Sequence, residues 1–268
     1  MTPDELDHEA RAELVSLARP VAERVARHLV ATGRLVDEEP ERALQHALAA
    51  RRLAPRIAAV REAVGIAAYQ AGDWTSAIAE LRAYQRMTGR QTYLAVLADC
   101  ERALGRPEKA IDLYRSADRA QLEPADAIEL LVVASGARRD LGQDEAAVAM
   151  LQVRELTQEA PWSARLRYAY ADALLGIGRT EEAREWFSRA AEVDDDATTD
   201  AAERLLELDG VQLDEAEEPG GDDVEEEDDV EEEDDVEQED LEVEEDLAEE
   251  DIDVADLAAE KDEDEKPE

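Results

Sequence analysis

A glycine followed five residues later by an alanine recurs four times in this chain: Gly72 with Ala77 (GDWTSA), Gly105 with Ala110 (GRPEKA), Gly142 with Ala147 (GQDEAA) and Gly178 with Ala183 (GRTEEA). A looser copy, PERALQHAL, adds Ala43, and the successive alanines then stand 34, 33, 37 and 36 residues apart. The tightest copy, LGRPEKAIDLYRSA at 104–117, shows what each unit can form. Gly105 can close one helix in the left-handed conformation, and Pro107 pre-sets the first turn of the next. Ala110, Ile111, Tyr114 and Ala117 then fall on one helical face. The unit is a helix, a turn and a helix. A period of this length predicts stacked hairpins, each burying its apolar face against its neighbours.

These residues resemble the pattern of the tetratricopeptide repeat family, over about five repeats from residue 8 to 210. In that pattern a small residue sits where the first helix of a hairpin approaches the second, and the matching positions are Gly65, Ala98, Ser135 and Ala171. Ala43, Ala77, Ala110, Ala147 and Ala183 match the small residue that opens the second helix. The bulky position four further on is Leu81, Tyr114, Leu151 and Phe187, with Ala47 in the first unit. The small position beyond it is Ala50, Ala117 and Ala190, while Tyr84 and Arg154 depart from it. Pro55 closes its unit at the family position, but Pro124 and Pro161 come about two residues late, which marks the third-to-fourth and fourth-to-fifth junctions as irregular. The resemblance implies an all-α fold, a right-handed α-α superhelix of about five hairpins.

Composition divides the chain. Its formal net charge is -43, but residues 214–268 hold 34 acids and two lysines, which leaves about -11 for residues 1–213. VEEEDD occurs at Val224 and Val230 and starts again at Val236. An apolar residue every sixth position matches neither a strand nor a helix face, and a segment so charged cannot bury enough apolar area to offset its ordering entropy. The expected domains are therefore a helical cap at 1–40, a repeat domain at 41–210 and a disordered acidic tail at 211–268. Within the cap one helix is expected from about residue 5 to 31, kinked or split by Pro20, followed by a loop at 33–39. Hairpins are expected at 57–87, 91–120, 125–157 and 163–193, with a closing helix at 198–208.

Lys109 is the only lysine before the tail, an arginine preference that fits a high-GC bacterial gene. The longest uncharged run, 63–72, is half what a membrane span needs. The first residues, MTPDELDHE, are acidic, which argues for the cytoplasm. Cys100 is expected as a small packed hydrophobe and Trp74 as a plug between repeats.

No catalytic, metal or cofactor constellation stands out. The histidines, His8, His28 and His46, have no ligand spacing, and GIGR at 176–179 lacks the lysine of a phosphate loop. The acidic balance opposes direct nucleic-acid binding. What remains is surface. The resemblance implies a groove lined by the first helices, where Glu62, Tyr69, Asp99, Arg102, Arg139, Arg165, Tyr168 and Asp172 would project. The family's lysine and asparagine clamp for a C-terminal carboxylate is missing there. The three arginines either hold an acidic or carboxylate-terminated peptide or pair with acids of the groove itself. The expected function is a non-enzymatic adaptor that binds a peptide or helix of another protein, with the polyanionic tail modulating it. The alternative is a polyanion that sequesters or chaperones basic proteins, carried by the solenoid.

Overall fold

The computed structural model describes residues 5–210, all helix and turn; the expected disordered tail lies outside the described residues. Twelve α-helices follow one another among the described residues. They are α1 (His8–Leu14), α2 (Arg19–Leu35), α3 (Pro40–Leu53), α4 (Ala58–Gln70), α5 (Trp74–Thr88), α6 (Leu94–Ala103), α7 (Pro107–Ser116), α8 (Pro124–Asp140), α9 (Asp144–Leu151), α10 (Ser163–Gly176), α11 (Thr180–Ala191) and α12 (Ala201–Leu208). Each helix packs on the next, so the described residues form a helical solenoid of five hairpins, α2–α3 to α10–α11, with α1 and α12 at its ends.

The four glycines of the repeat do the same job at four turns. Gly72, Gly105, Gly142 and Gly178 all have φ between 67° and 76°. In each case the amide after the glycine reaches back to the same carbonyl of the preceding helix: Asp73 to Ala68, Arg106 to Glu101, Gln143 to Arg138 and Arg179 to Leu174, at 2.8–3.0 Å. That recurring bond closes the helix and aims the chain into the second one. Ala43, Ala77, Ala110, Ala147 and Ala183, opening the second helices, are all fully buried. At Gly65 the approach is closer still. A Cβ built there would lie 2.5 Å from Cδ2 of Leu81 and 3.3 Å from its backbone nitrogen, so the bulky position of this hairpin occupies the space that a side chain would need.

Departures from the pattern become local irregularities. Tyr84, in place of a small residue, stays buried and meets Tyr93 edge to face at 5.5 Å. Arg154 cannot take a buried slot. Helix α9 stops at Leu151, and a 3-10 turn, Arg154–Thr157, carries the chain outward with the Arg154 side chain 87% exposed. Of the two outcomes expected for the helix over 5–31, kinked or split, the structure has the split. Proline lacks the amide that a helix interior needs, so Pro20 sits in the first turn of α2 and the chain breaks between Leu14 and Arg19. The expected loop at 33–39 is correspondingly shorter, because α2 continues through Gly33 to Leu35. Cys100 is fully buried, its thiol pushed up to about 12 first by burial. Trp74 stacks edge-on to Tyr69.

Two buried carboxylates and one arginine tie hairpins together. Glu80 accepts from Arg51 and Arg61, and Glu101 accepts from Arg82 while its second oxygen lies 3.5 Å from Arg106 without a hydrogen bond. Arg167 donates to the carbonyls of Leu156, Gln158 and Arg189, closing the irregular fourth junction.

Candidate functional site

All eight expected groove residues lie on the first helices of successive hairpins: Glu62 and Tyr69 on α4, Asp99 and Arg102 on α6, Arg139 on α8, and Arg165, Tyr168 and Asp172 on α10. Their side chains bridge one first helix to the next. The Tyr69 hydroxyl donates to Asp99 at 2.9 Å, and Arg102 grips Asp140 at the end of α8 through Nε at 2.8 Å and Nη2 at 3.2 Å. Arg139 donates to Asp172 of α10, and Asp172 lies 3.8 Å from Arg204 of α12. Arg165 grips Glu129 of α8 with two bonds of 2.6 Å, and Tyr93 donates to Glu62. The three arginines are therefore held by acids of the solenoid.

The row is electrically connected. Burial pushes the Tyr69 hydroxyl up, and the charges of Asp99 and Glu129 add to it. The bond to Glu129 raises Arg165, which also feels Tyr69 and Asp99. Burial raises the Glu62 carboxyl against the opposing bond from Tyr93. A glycine makes way for Arg102, and a second stands in ordinary contact with Arg139. A Cβ at Gly136 would sit 2.7 Å from Cζ of Arg102, and one at Gly176 would sit 3.5 Å from Nη2 of Arg139.

At the α10 end the row opens into a cleft of about 450 Å³, lined by Arg165, Tyr168, Ala197, Thr198, Thr199, Asp200 and Glu203. Its rim is the turn before α12. Asp194 accepts from the amides and hydroxyls of both Thr198 and Thr199 at 2.6–2.8 Å, which holds its carboxyl at about 2, and Ala197 is left-handed at φ 48°. Tyr168 is raised by burial and then by its bond to Asp200. Arg165 and Tyr168, expected in the groove, line this cleft together with Thr198, Thr199, Asp200 and Glu203, which follow the last repeat and carry no periodic mark in the sequence. The charges of the cleft sum to one arginine, already paired with Glu129, against two acids that no arginine holds, so its lining suits a neutral or basic group.

Sequence reading saw no relation between His28 and His46, but α2 and α3 bring their Nδ1 atoms to 3.1 Å. Among the described residues no three His, Cys, Asp or Glu side chains are grouped to hold a metal ion, and no helix is long and apolar enough to cross a membrane.

Residues 31–92 and 140–207 each match a family model described as tetratricopeptide repeat. The fold is similar to that of a thermophilic TPR protein in Thermus thermophilus, at 19% identity and a TM-score of 0.54, covering 69% of this chain and 98% of that one. It is also similar to MamA, from residue 41 to the end, of Desulfovibrio magneticus RS-1, at 14% identity and a TM-score of 0.50, covering 66% and 98%. No curated protein matches the chain.

Proposed function

Because this chain is a tetratricopeptide repeat protein, we propose that it is a non-enzymatic, cytoplasmic interaction scaffold whose first-helix row seats a peptide or helix of another protein. The observation that carries the reading is the cleft beside Arg165 and Tyr168. It continues a row of half-exposed polar and aromatic side chains, and its rim is preset by the Asp194 bonds. A preset rim reduces the ordering cost of binding, and tyrosines offer rigid contact area. The pairing of Arg102, Arg139 and Arg165 changes what the row selects. A partner carboxylate would have to displace Asp140, Asp172 or Glu129, whereas a basic side chain finds Asp200 and Glu203 without a cationic partner among the described residues.

A second reading has its own observation, the 34 acids of residues 214–268. In it that segment is the working part, a polyanion for basic proteins, and in the first reading it modulates partner binding through its field, which is salt-screened. The full chain and a chain ending at Leu213, each used to capture a basic partner at low and at high salt, separate the two. The scaffold reading expects the shortened chain to keep the partner, with a changed salt dependence; loss of capture on shortening would transfer the function to the acidic segment.

A further inference from the structure

Most arginines of the described residues are engaged. Arg34 holds Glu5, Arg42 holds Glu39, Arg51 and Arg61 share Glu80, and the row arginines are held as described. Arg24, Arg27 and Arg52 form no ion pair among the described residues, and all three are exposed. They lie close enough to one histidine, His28, for their charges to act on it. Arg24, Arg27 and His28 stand at i, i+3 and i+4, so α2 presents them on one side. Helix α3 adds His46, its Nδ1 3.1 Å from that of His28, and Arg52. None of these residues is among the row residues of α4 to α10.

We propose that this patch of the first hairpin is a second, separate docking surface, taking a carboxylate-rich segment of a protein partner with the His28–His46 pair as its proton-linked centre. Two neutral imidazoles 3.1 Å apart share one hydrogen bond, one ring donating and the other accepting. Protonating the accepting ring breaks that bond and adds a positive charge beside three others. In the free protein burial lowers His28 first, then His46, and then Arg27, Arg52 and Arg24. Of the charged groups on the other elements packed on α2, Glu13 of α1 is bonded to the Ala59 amide, Glu9 of α1 to Arg90, Arg11 of α1 to the Leu6 carbonyl, Arg42 and Arg51 of α3 to Glu39 and Glu80, Arg61 of α4 to Glu80 and Glu62 of α4 to Tyr93, while Glu41, in the first turn of α3, has no such partner among the described residues. A bound polyanion supplies the negative charge that the imidazolium lacks. It therefore raises the histidine, and by linkage protons tighten its binding.

The partner class follows from charge. Three arginines on two turns of one hairpin match a short run of carboxylates. A nucleic acid needs a longer basic stripe than three arginines on two neighbouring helices provide. A metal bridging the two rings would bind among like charges with only two ligands.

The test uses the full chain beside the chain ending at Leu213, which lacks the 34 acids that would compete with the probe, and a labelled acidic peptide with the sequence of residues 224–235, VEEEDDVEEEDD, followed by fluorescence anisotropy at low salt, with an Asn/Gln version of the peptide and a twelve-nucleotide single-stranded DNA as comparison probes. Binding should be several-fold tighter at pH 5.8 than at pH 7.5, because binding raises a histidine that starts below its ordinary value near 6.5; the peptide stays ionised throughout. The R24Q/R27Q/R52Q variant, checked for wild-type circular dichroism, should lose at least about tenfold at both pH values. The H28Q/H46Q variant should keep the pH 7.5 affinity and lose the tightening in acid. Equal binding by the arginine variant, an unchanged pH response in the histidine variant, or tighter binding of the DNA than of the peptide would each overturn the proposal.

Discussion

Ala110 has no accessible surface and lies where α7 meets α6 in the central core with Leu94, Leu97 and Ile111. A glutamate there has neither room nor a counter-ion. Burying an uncompensated charge costs several kcal/mol, so Ala110→Glu should unfold the middle of the solenoid. Circular dichroism and a thermal melt check it, and a wild-type melt for this variant would contradict the register of the repeat. That register was legible because it is steric: a buried small residue leaves the same mark in every unit, as Ala43, Ala77, Ala147 and Ala183 do. The partners of Arg102, Arg139 and Arg165 were not legible. Asp140, Asp172 and Glu129 stand 38, 33 and 36 residues away, and which acid meets which arginine depends on how two hairpins rotate on each other. The His28–His46 contact is of the same kind, set by the register of α2 on α3 rather than by any local spacing.

Between elements, the first helices are joined by polar bridges as well as by apolar packing. In the Arg102–Asp140 pair the two side chains are 27% and 39% exposed. Water therefore screens the pair, and its coupling should be about 0.5–1 kcal/mol by double-mutant cycle with Ala at each site, measured by urea denaturation. Arg102→Ala alone should lower the melting temperature by only a few degrees in a domain of this size. Zero coupling would mean that the bridge follows the α6–α8 packing without supporting it. The ends of elements were the less readable part of the fold. Pro20 announced the break that separates α1 from α2, and late Pro124 and Pro161 announced the stretched junctions. The early stop of α9 needed the further fact that Arg154 cannot be buried in the slot where three of the other hairpins place an alanine.

Along the described residues, the row of first helices from α4 to α10 runs along the solenoid, and its open cleft lies at the α10–α12 end. The unpaired basic patch belongs to the α2–α3 hairpin at the other end. A linear stack separates such surfaces naturally, since each hairpin contacts only its neighbours and its outer positions are free to differ. The central claim is that partners are read by the first-helix face. The most direct measurement is site-specific photocrosslinking in the source cell, with a benzoylphenylalanine placed singly at Tyr168, at Glu203 or, as a control on a second helix, at the exposed Asp112 of α7, after confirming that each variant melts like the wild type. A discrete protein adduct is expected from positions 168 and 203 and none from 112; adducts from position 112 alone would contradict recognition by the first-helix face.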